Sequence, residues 1–513
     1  MEQHKSSQTK QGEGCNLTSE LPSSTTKMKD IESTPQEVEE GTTERLDPYG
    51  VPLEPTPTDD PLDPLNFSQT TKTCCLVIAF FYSFLLIYST TVYIPVTLDL
   101  QTQFRTSYTA IAWSVAMPSL GLSLGMLLAK PFADSYGRRI VLLVSASIAI
   151  LASGCASIRS INLGGFMACR FFQGIGTGPG LNVGLAILGD ISWGHERGFR
   201  IGLWVMGTTI GAPVGILIGG LLGEVNQFWA SYHLAILYFI LLVLIIATLP
   251  ETLYPRDLMV SQTSICLADN ITTPNYQIAK IQRTKEIRIW TVKRIPGVKH
   301  APFWAGMFRY LQVWTYPNVS IGCSSVVFLQ YWCTKVQGAF FVAFMLGSIL
   351  GEVFMSGRLS DWIVGTMTKK NNNRNHALRL LLSYAAALMT GVGHALWGVS
   401  IDQEWHWMTG EVALFLAGAG IQIGNTAISS FIVDLYPEHL MDVISFYSIL
   451  FNLASFIEPW FISNWVASSG YFWCFIAQGL ISFCGMIPAL ILLQAFATKW
   501  SRPMVLYGDR DMN

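Results

Sequence analysis

The chain has 513 residues, of which 51% are hydrophobic and only 13% charged, about half the charged share of an ordinary soluble domain. With 29 Phe and 16 Trp as well, so much apolar surface has no place in a water-soluble protein of this size, and the composition points to a polytopic membrane protein. A formal net charge of −2 argues against a nucleic-acid partner.

The first 72 residues hold six Lys/Arg against fourteen Asp/Glu and lack the apolar core of a secretory leader. Such a segment cannot bury enough surface to offset its chain entropy. Residues 1–72 are therefore expected to be a disordered, acidic cytoplasmic tail. Twelve apolar runs long enough to span a bilayer follow. The first six are Thr73 to Leu98, Ala110 to Pro131, Ile140 to Ile158, Gly164 to Gly189, Phe199 to Leu222 and Trp229 to Leu249. The last six are Tyr316 to Val336, Ala339 to Gly357, Ala377 to Val399, Thr409 to Val433, Val443 to Val466 and Phe472 to Ala497. None alternates like a strand, and helices alone satisfy every backbone group within a segment in lipid. Most of the ten Cys lie inside these runs and are read as packed, reduced thiols.

The polar stretch between the sixth and seventh runs is basic from Lys280 onward and divides the runs into equal halves. That is the hydropathy pattern of a duplicated transporter. The expected organisation is a six-helix bundle at 73–249, a basic cytoplasmic loop at 250–314, a second six-helix bundle at 315–497 and a cytoplasmic tail at 498–513. With the N-terminus inside, the short inner loops hold nine Lys/Arg and the outer loops three, so both termini are expected to be cytoplasmic.

Three stretches carry more than hydropathy. After the second span come Lys130, Asp134, Gly137, Arg138 and Arg139, and the equivalent place after the eighth span holds Gly357, Arg358 and Asp361. An acid next to Gly-Arg-Arg in a tight loop can form a charge-paired latch; the arginines alone would also serve as a topology signal. The fourth span contains Arg170, Gln173 and Gly174. An arginine near the bilayer interior costs about 2.5 kcal/mol or more and must face a polar cavity or a partner. The fifth span carries Gly207, Gly211, Pro213, Gly215, Gly219 and Gly220, which gives a smooth face on a helix bent at Pro213.

These three motifs, in this order and in these spans, resemble those of the major facilitator superfamily, and within it the twelve-span drug/proton antiporter-like branch found in fungi. The Asp60-Pro61 to Phe67 stretch and Pro250-Glu251-Thr252-Leu253-Tyr254 resemble that branch as well. The resemblance implies an all-α membrane protein of twelve transmembrane helices in two pseudo-symmetric six-helix bundles. It also implies that Arg170 takes part in proton coupling and that Gly207 to Gly220 form an antiport helix. Departures are Phe67 in place of Trp, Ile216 in place of a second Pro, and a short link at Thr334 to Gly338 between the seventh and eighth spans.

Acids within spans are the natural proton carriers. Here they are Glu458 in the eleventh run and Glu352 in the eighth, with Glu352 also suited to an inner gate or ion pair. Gln173, Asn182, Trp204, Gln422, Asn425 and Asn452 could line a substrate pathway or serve as interhelical glue. No nucleophile–base set, metal cluster or nucleotide loop is visible, so an enzyme is not expected, nor a metal or cofactor beyond a proton gradient. The leading expectation is a monomeric, proton-coupled multidrug-type exporter of small organic molecules in the plasma membrane. An importer of a nutrient or polyamine-like cation is the alternative, and a non-transporting receptor or degenerate paralogue is the reading from another class.

Overall fold

Helices form where the apolar runs lie, and their ends fall at residues that cap a helix or cannot continue one. Ser68 opens α1 (Gln69–Thr91), its hydroxyl accepting from the Thr71 amide at 3.2 Å. The chain then breaks before Pro95 and resumes as the short α2 (Thr97–Phe104). The first span is thus split, although its hydropathy runs on to Leu98. Ser107 caps α3 (Tyr108–Tyr136), which joins α4 (Arg138–Ala156) through Gly137 alone. The fourth span is a pair, α5 (Leu163–Thr177) and α6 (Pro179–Ile191), because Pro179 has no amide to continue the ladder. Next come α7 (Arg197–Val225), with Pro213 inside it, and α8 (Trp229–Thr248).

The second half opens with a short α9 (Ala305–Val313), followed by α10 (Pro317–Gln330) and α11 (Phe341–Leu350). Residues Gly351–Met355 continue α11 as a wider π-helical turn. After a break at Ser356, α12 (Gly357–Asn371) follows, so Arg358 and Asp361 lie on a helix and not in the expected loop. The remaining helices are α13 (Leu381–Asp402), α14 (Trp407–Leu435), α15 (Leu440–Ile457) and α16 (Pro459–Trp500). The last is two helices meeting at Gly470, whose φ of +73° only glycine adopts readily.

The computed structural model describes residues 63–254, 305–330, 341–371, 376–436, 439–457 and 459–500, with Leu53, Pro55 and Met504. Most of the expected acidic tail, most of the central loop, the Thr334 to Gly338 link and nearly all of the C-terminal tail lie outside these residues. Every described helix belongs to the unit Arg45–Asn513. Among the described residues, ten helices are long and apolar enough to cross a membrane. The α5–α6 pair and α10, with 14 described residues, occupy the two other expected spans, in keeping with twelve.

Two apolar cores result. One gathers Tyr82, Leu122, Leu142, Phe166, Leu185 and Leu234 from α1 to α8. The other gathers Val319, Phe344, Ala413, Phe431, Phe475 and Leu490 from α10 to α16. The first turns of α15, through Leu440, Met441 and Ile444, belong to the first core. The seam between the halves is made by α15 against α3 and α6, and by α7 against α11, α12 and α14.

Candidate functional site

The halves meet through buried charge at one end. Lys130 reaches Asp134 at 2.8 Å within α3 and Asp442 of α15 at 3.1 Å. Arg309 and His439 approach the same Asp442 at 3.9 and 3.6 Å. A second cluster centres on Arg379, which contacts Asp361 and Asp434 at 2.7 Å each, while His376 and Arg197 lie 3.2 and 3.6 Å from Asp434. Asp361 also accepts from the Phe199 amide at 2.9 Å, in the first turn of α7, where the helix dipole favours a carboxylate. The Arg358 guanidinium lies 4.6 Å from the centre of the Phe199 ring. Asp434 and Asp442 flank the connector between α14 and α15, so the motifs of Asp134 and Asp361 lie at the same end of the molecule. We call this end the latch face. Buried pairs such as these are held by mutual compensation, and removing one partner strands the other's charge.

The Gly137–Arg139 corner is built differently from a simple acid–arginine latch. Arg138 pairs with Asp190 at the end of α6. The Glu251 carboxylate accepts from the amides of Arg138 and Arg139 at 2.9 and 3.1 Å and so caps α4. Gly137 has φ +99°, and a side chain there would also press on Glu251. The Pro250-Glu251-Thr252 stretch thus ties the end of α8 to the start of α4. Arg139 completes the tie by donating to the Ile246 carbonyl at 2.7 Å.

Glu352 sits in the π-helical turn, fully buried. Its carboxylate accepts from Gln422 and Thr426 of α14 at 2.8 Å each and from the Gly357 amide at 3.2 Å. No cation lies within ion-pair distance of it among the described residues. Glu458 lies outside the described residues.

The expected pathway residues divide. Asn182 donates to the Met126 carbonyl and, across the seam, to Ser445, both at 3.0 Å. Asn425 accepts from Tyr447 at 3.0 Å. Gln422 bridges Glu352 and the Gly202 carbonyl, the latter at 3.3 Å, while its own amide oxygen has no partner among the described residues. Asn452 donates to the Ser448 carbonyl one turn back at 2.7 Å. Trp204 packs in the first core, and its indole N–H has no partner among the described residues. Gln173 donates to Ser153 at 2.8 Å and accepts from Arg170.

Arg170 is wholly buried within the first half. It donates to the Ser89 carbonyl at 2.8 Å and, at 3.5 Å, to that of Thr90, both in the last turn of α1. The Tyr93 ring centre is 4.1 Å from its guanidinium. A cation at a helix C-terminus is electrostatically favourable, and among the described residues no acid pairs with it.

The glycines of α7 serve two faces. A Cβ at Gly211 would lie 2.5 Å from the Phe84 carbonyl, and those of Gly207, Gly215 and Gly219 would likewise strike α1. A Cβ at Gly220 would meet only Pro95 Cβ, at an ordinary contact distance of 3.9 Å. Gly198 and Gly202, on the other side of α7, face Asp361 and Glu352 of the second half. Sequence reasoning missed Asp190, Asp434, Asp442 and the cross-half role of Gly202. The acids stand at span ends, where an acid ordinarily reads as solvated. Among the described residues no group of three or more His, Cys, Asp or Glu side chains could hold a metal ion.

Residues 77–459 match the profile described as Major Facilitator Superfamily. Protein HOL1 of Saccharomyces cerevisiae is 23% identical, over 90% of this chain and 90% of its own length. Multidrug transporter DTR1 of Candida glabrata is 23% identical, over 80% of this chain and 81% of its own. Among solved structures, the proton:xylose symporter XylE from E. coli shares the fold with a TM-score of 0.56 at 15% identity, covering 84% of this chain and 96% of that one.

Proposed function

The chain belongs to the Major Facilitator Superfamily, and from that premise we propose that this multi-pass membrane transporter is a proton-coupled exporter of small organic, drug-like molecules. It works as a monomer in the plasma membrane, with both termini cytoplasmic. Residues 73–249 and 315–497 are the two moving bundles, and the latch face is their inner gate. The observation that carries the reading is the seam itself: separate apolar cores, joined at one end by ion pairs that can be broken and remade. Lys130–Asp442, Arg197–Asp434 and the Asp361–Phe199 contact span the halves there.

Between the cores, Asn182, Gln422 and Asn425 supply hydrogen-bonding groups for a cargo with a few polar atoms on an apolar body. Glu352, with Glu458, carries the exchangeable proton, and Arg170 takes part in the coupling from within the first half. A Candida glabrata relative named as a multidrug transporter and a Saccharomyces cerevisiae relative named as a probable drug/proton antiporter support export. The energy is adequate. A proton moving through 100 mV releases about 2.3 kcal/mol and one pH unit adds about 1.4 kcal/mol, together enough for a gradient of several hundredfold.

The test is a panel of labelled compounds in proteoliposomes under an imposed pH gradient, paired with growth of a sensitive host on toxic compounds. Export gives proton-linked movement of at least one compound and resistance of the host. Sensitisation of the host instead would establish import, and the absence of any solute-dependent proton flux would overturn proton-coupled transport.

A further inference from the structure

Glu352 lies against a place on α7 that has no side chain. A methyl group built on Gly202 would overlap the Glu352 carboxylate, and one on Gly357 would lie 2.8 Å from the same oxygen. The donors that hold this carboxylate all come from its own half. They are the Gln422 amide group, the Thr426 hydroxyl and the Gly357 backbone N–H, the last freed from the helix ladder by the break at Ser356. The first half supplies the Gly202 backbone, whose carbonyl receives the Gln422 amide at 3.3 Å.

From this division of labour we infer that Gly202 is the cover of a proton-binding carboxylate. Closing the latch face seats Glu352 against bare α7 backbone, and opening that face uncovers it to protons from that side alone. The inference rests on the exporter reading in treating the two halves as moving units. When the halves part, the three donors stay with Glu352 and only the cover leaves. The network also tolerates either protonation state, since the Thr426 hydroxyl can donate to a carboxylate or accept from a carboxylic acid. The π-helical turn sets the geometry, because such turns re-aim single side chains where a regular helix would not. The described charged side chains on the elements packed around Glu352 are Arg197, Arg200 and Glu224 on α7, Arg358, Asp361 and Lys369 on α12, and Glu411 and Asp434 on α14. None pairs with it among the described residues, so its proton exchange depends on access and on its hydrogen bonds.

The experiment is labelling of the purified full-length protein with a hydrophobic carbodiimide, which adds to a protonated carboxyl and leaves a stable N-acylurea. Modification at Glu352 is read by peptide mass spectrometry as a function of pH. Wild type should label slowly. Gly202→Ala should label several-fold faster, because the added methyl holds the cover off. Adding Glu352→Asp, one methylene shorter, should return the rate toward wild type. Gly154→Ala, which opens onto empty space on α4, should match wild type. Wild-type labelling in Gly202→Ala, or an undiminished rate in the double variant, would overturn the inference.

A separate cysteine pair guards against loss of folding in Gly202→Ala. Leu440 lies over Gly189 on the same face, so Gly189→Cys with Leu440→Cys should pin that face shut on oxidation. Glu352 should then label when this pair is reduced and not when it is oxidised; equal labelling in both states would overturn the inference. Labelling needs no solute, so a protein that labels as described yet moves nothing with protons would defeat the exporter reading and leave the cover standing.

Discussion

Two arginines are buried to the same degree and are balanced in opposite ways. Arg170, in the first half, is 0% exposed and is met by backbone carbonyls at the end of α1 and by the Tyr93 ring. Arg379, in the second half, is 1% exposed and is gripped by two carboxylates. Dipoles neutralise the first only in part. Full counter-charge ties the second to Asp361 and Asp434, the two acids of its own half that meet α7 at the latch face. Burial alone therefore does not say what a charged residue does; the nature of its partners does.

Unfolding measurements in detergent can sharpen this contrast. Arg379→Leu should have the largest effect, about 3–5 kcal/mol, because Asp361 and Asp434 are both left buried beside the gap. A parallel loss in Arg170→Leu would break the contrast. That variant should lose only about 1–3 kcal/mol, since it strands neutral carbonyls and no carboxylate. Glu251→Ala tests the converse arrangement, an acid on helix N–H groups, and should cost about 0.5–2 kcal/mol, as loss of a helix cap does. Its effect should appear first as faster amide exchange at the start of α4. Gly220→Ala sets the baseline: with room for a methyl group at ordinary contact distance from Pro95, it should stay within about 0.5 kcal/mol of wild type.

Much of the architecture was legible because lipid imposes one rule on every span. Runs such as Arg138–Ala156 and Trp229–Thr248 came out within a few residues of their expected bounds. What stayed hidden depended on partners distant in sequence. Arg170 was visible as an anomaly, yet its acceptors are carbonyls, which any residue could supply. Asp434 and Asp442 looked like ordinary acids beside a turn, since nothing local shows that α3, α7 and α9 bring cations to them. Gly202 looked like one more member of a glycine-rich helix, because residue type does not reveal which face of α7 meets α1 and which meets the second half. The π-helical turn at Glu352 left no mark in the hydropathy at all.

The connector between α14 and α15 has a kinetic consequence. Both ion-pair clusters hang from its two ends, so a half-released latch would take from one aspartate its cation of the first half, Lys130 or Arg197, while the other still pins the same short strap. Such an intermediate is costly from either direction. Release should therefore be all-or-none, a single snap, and damage to one cluster should be felt in the lifetime of the other.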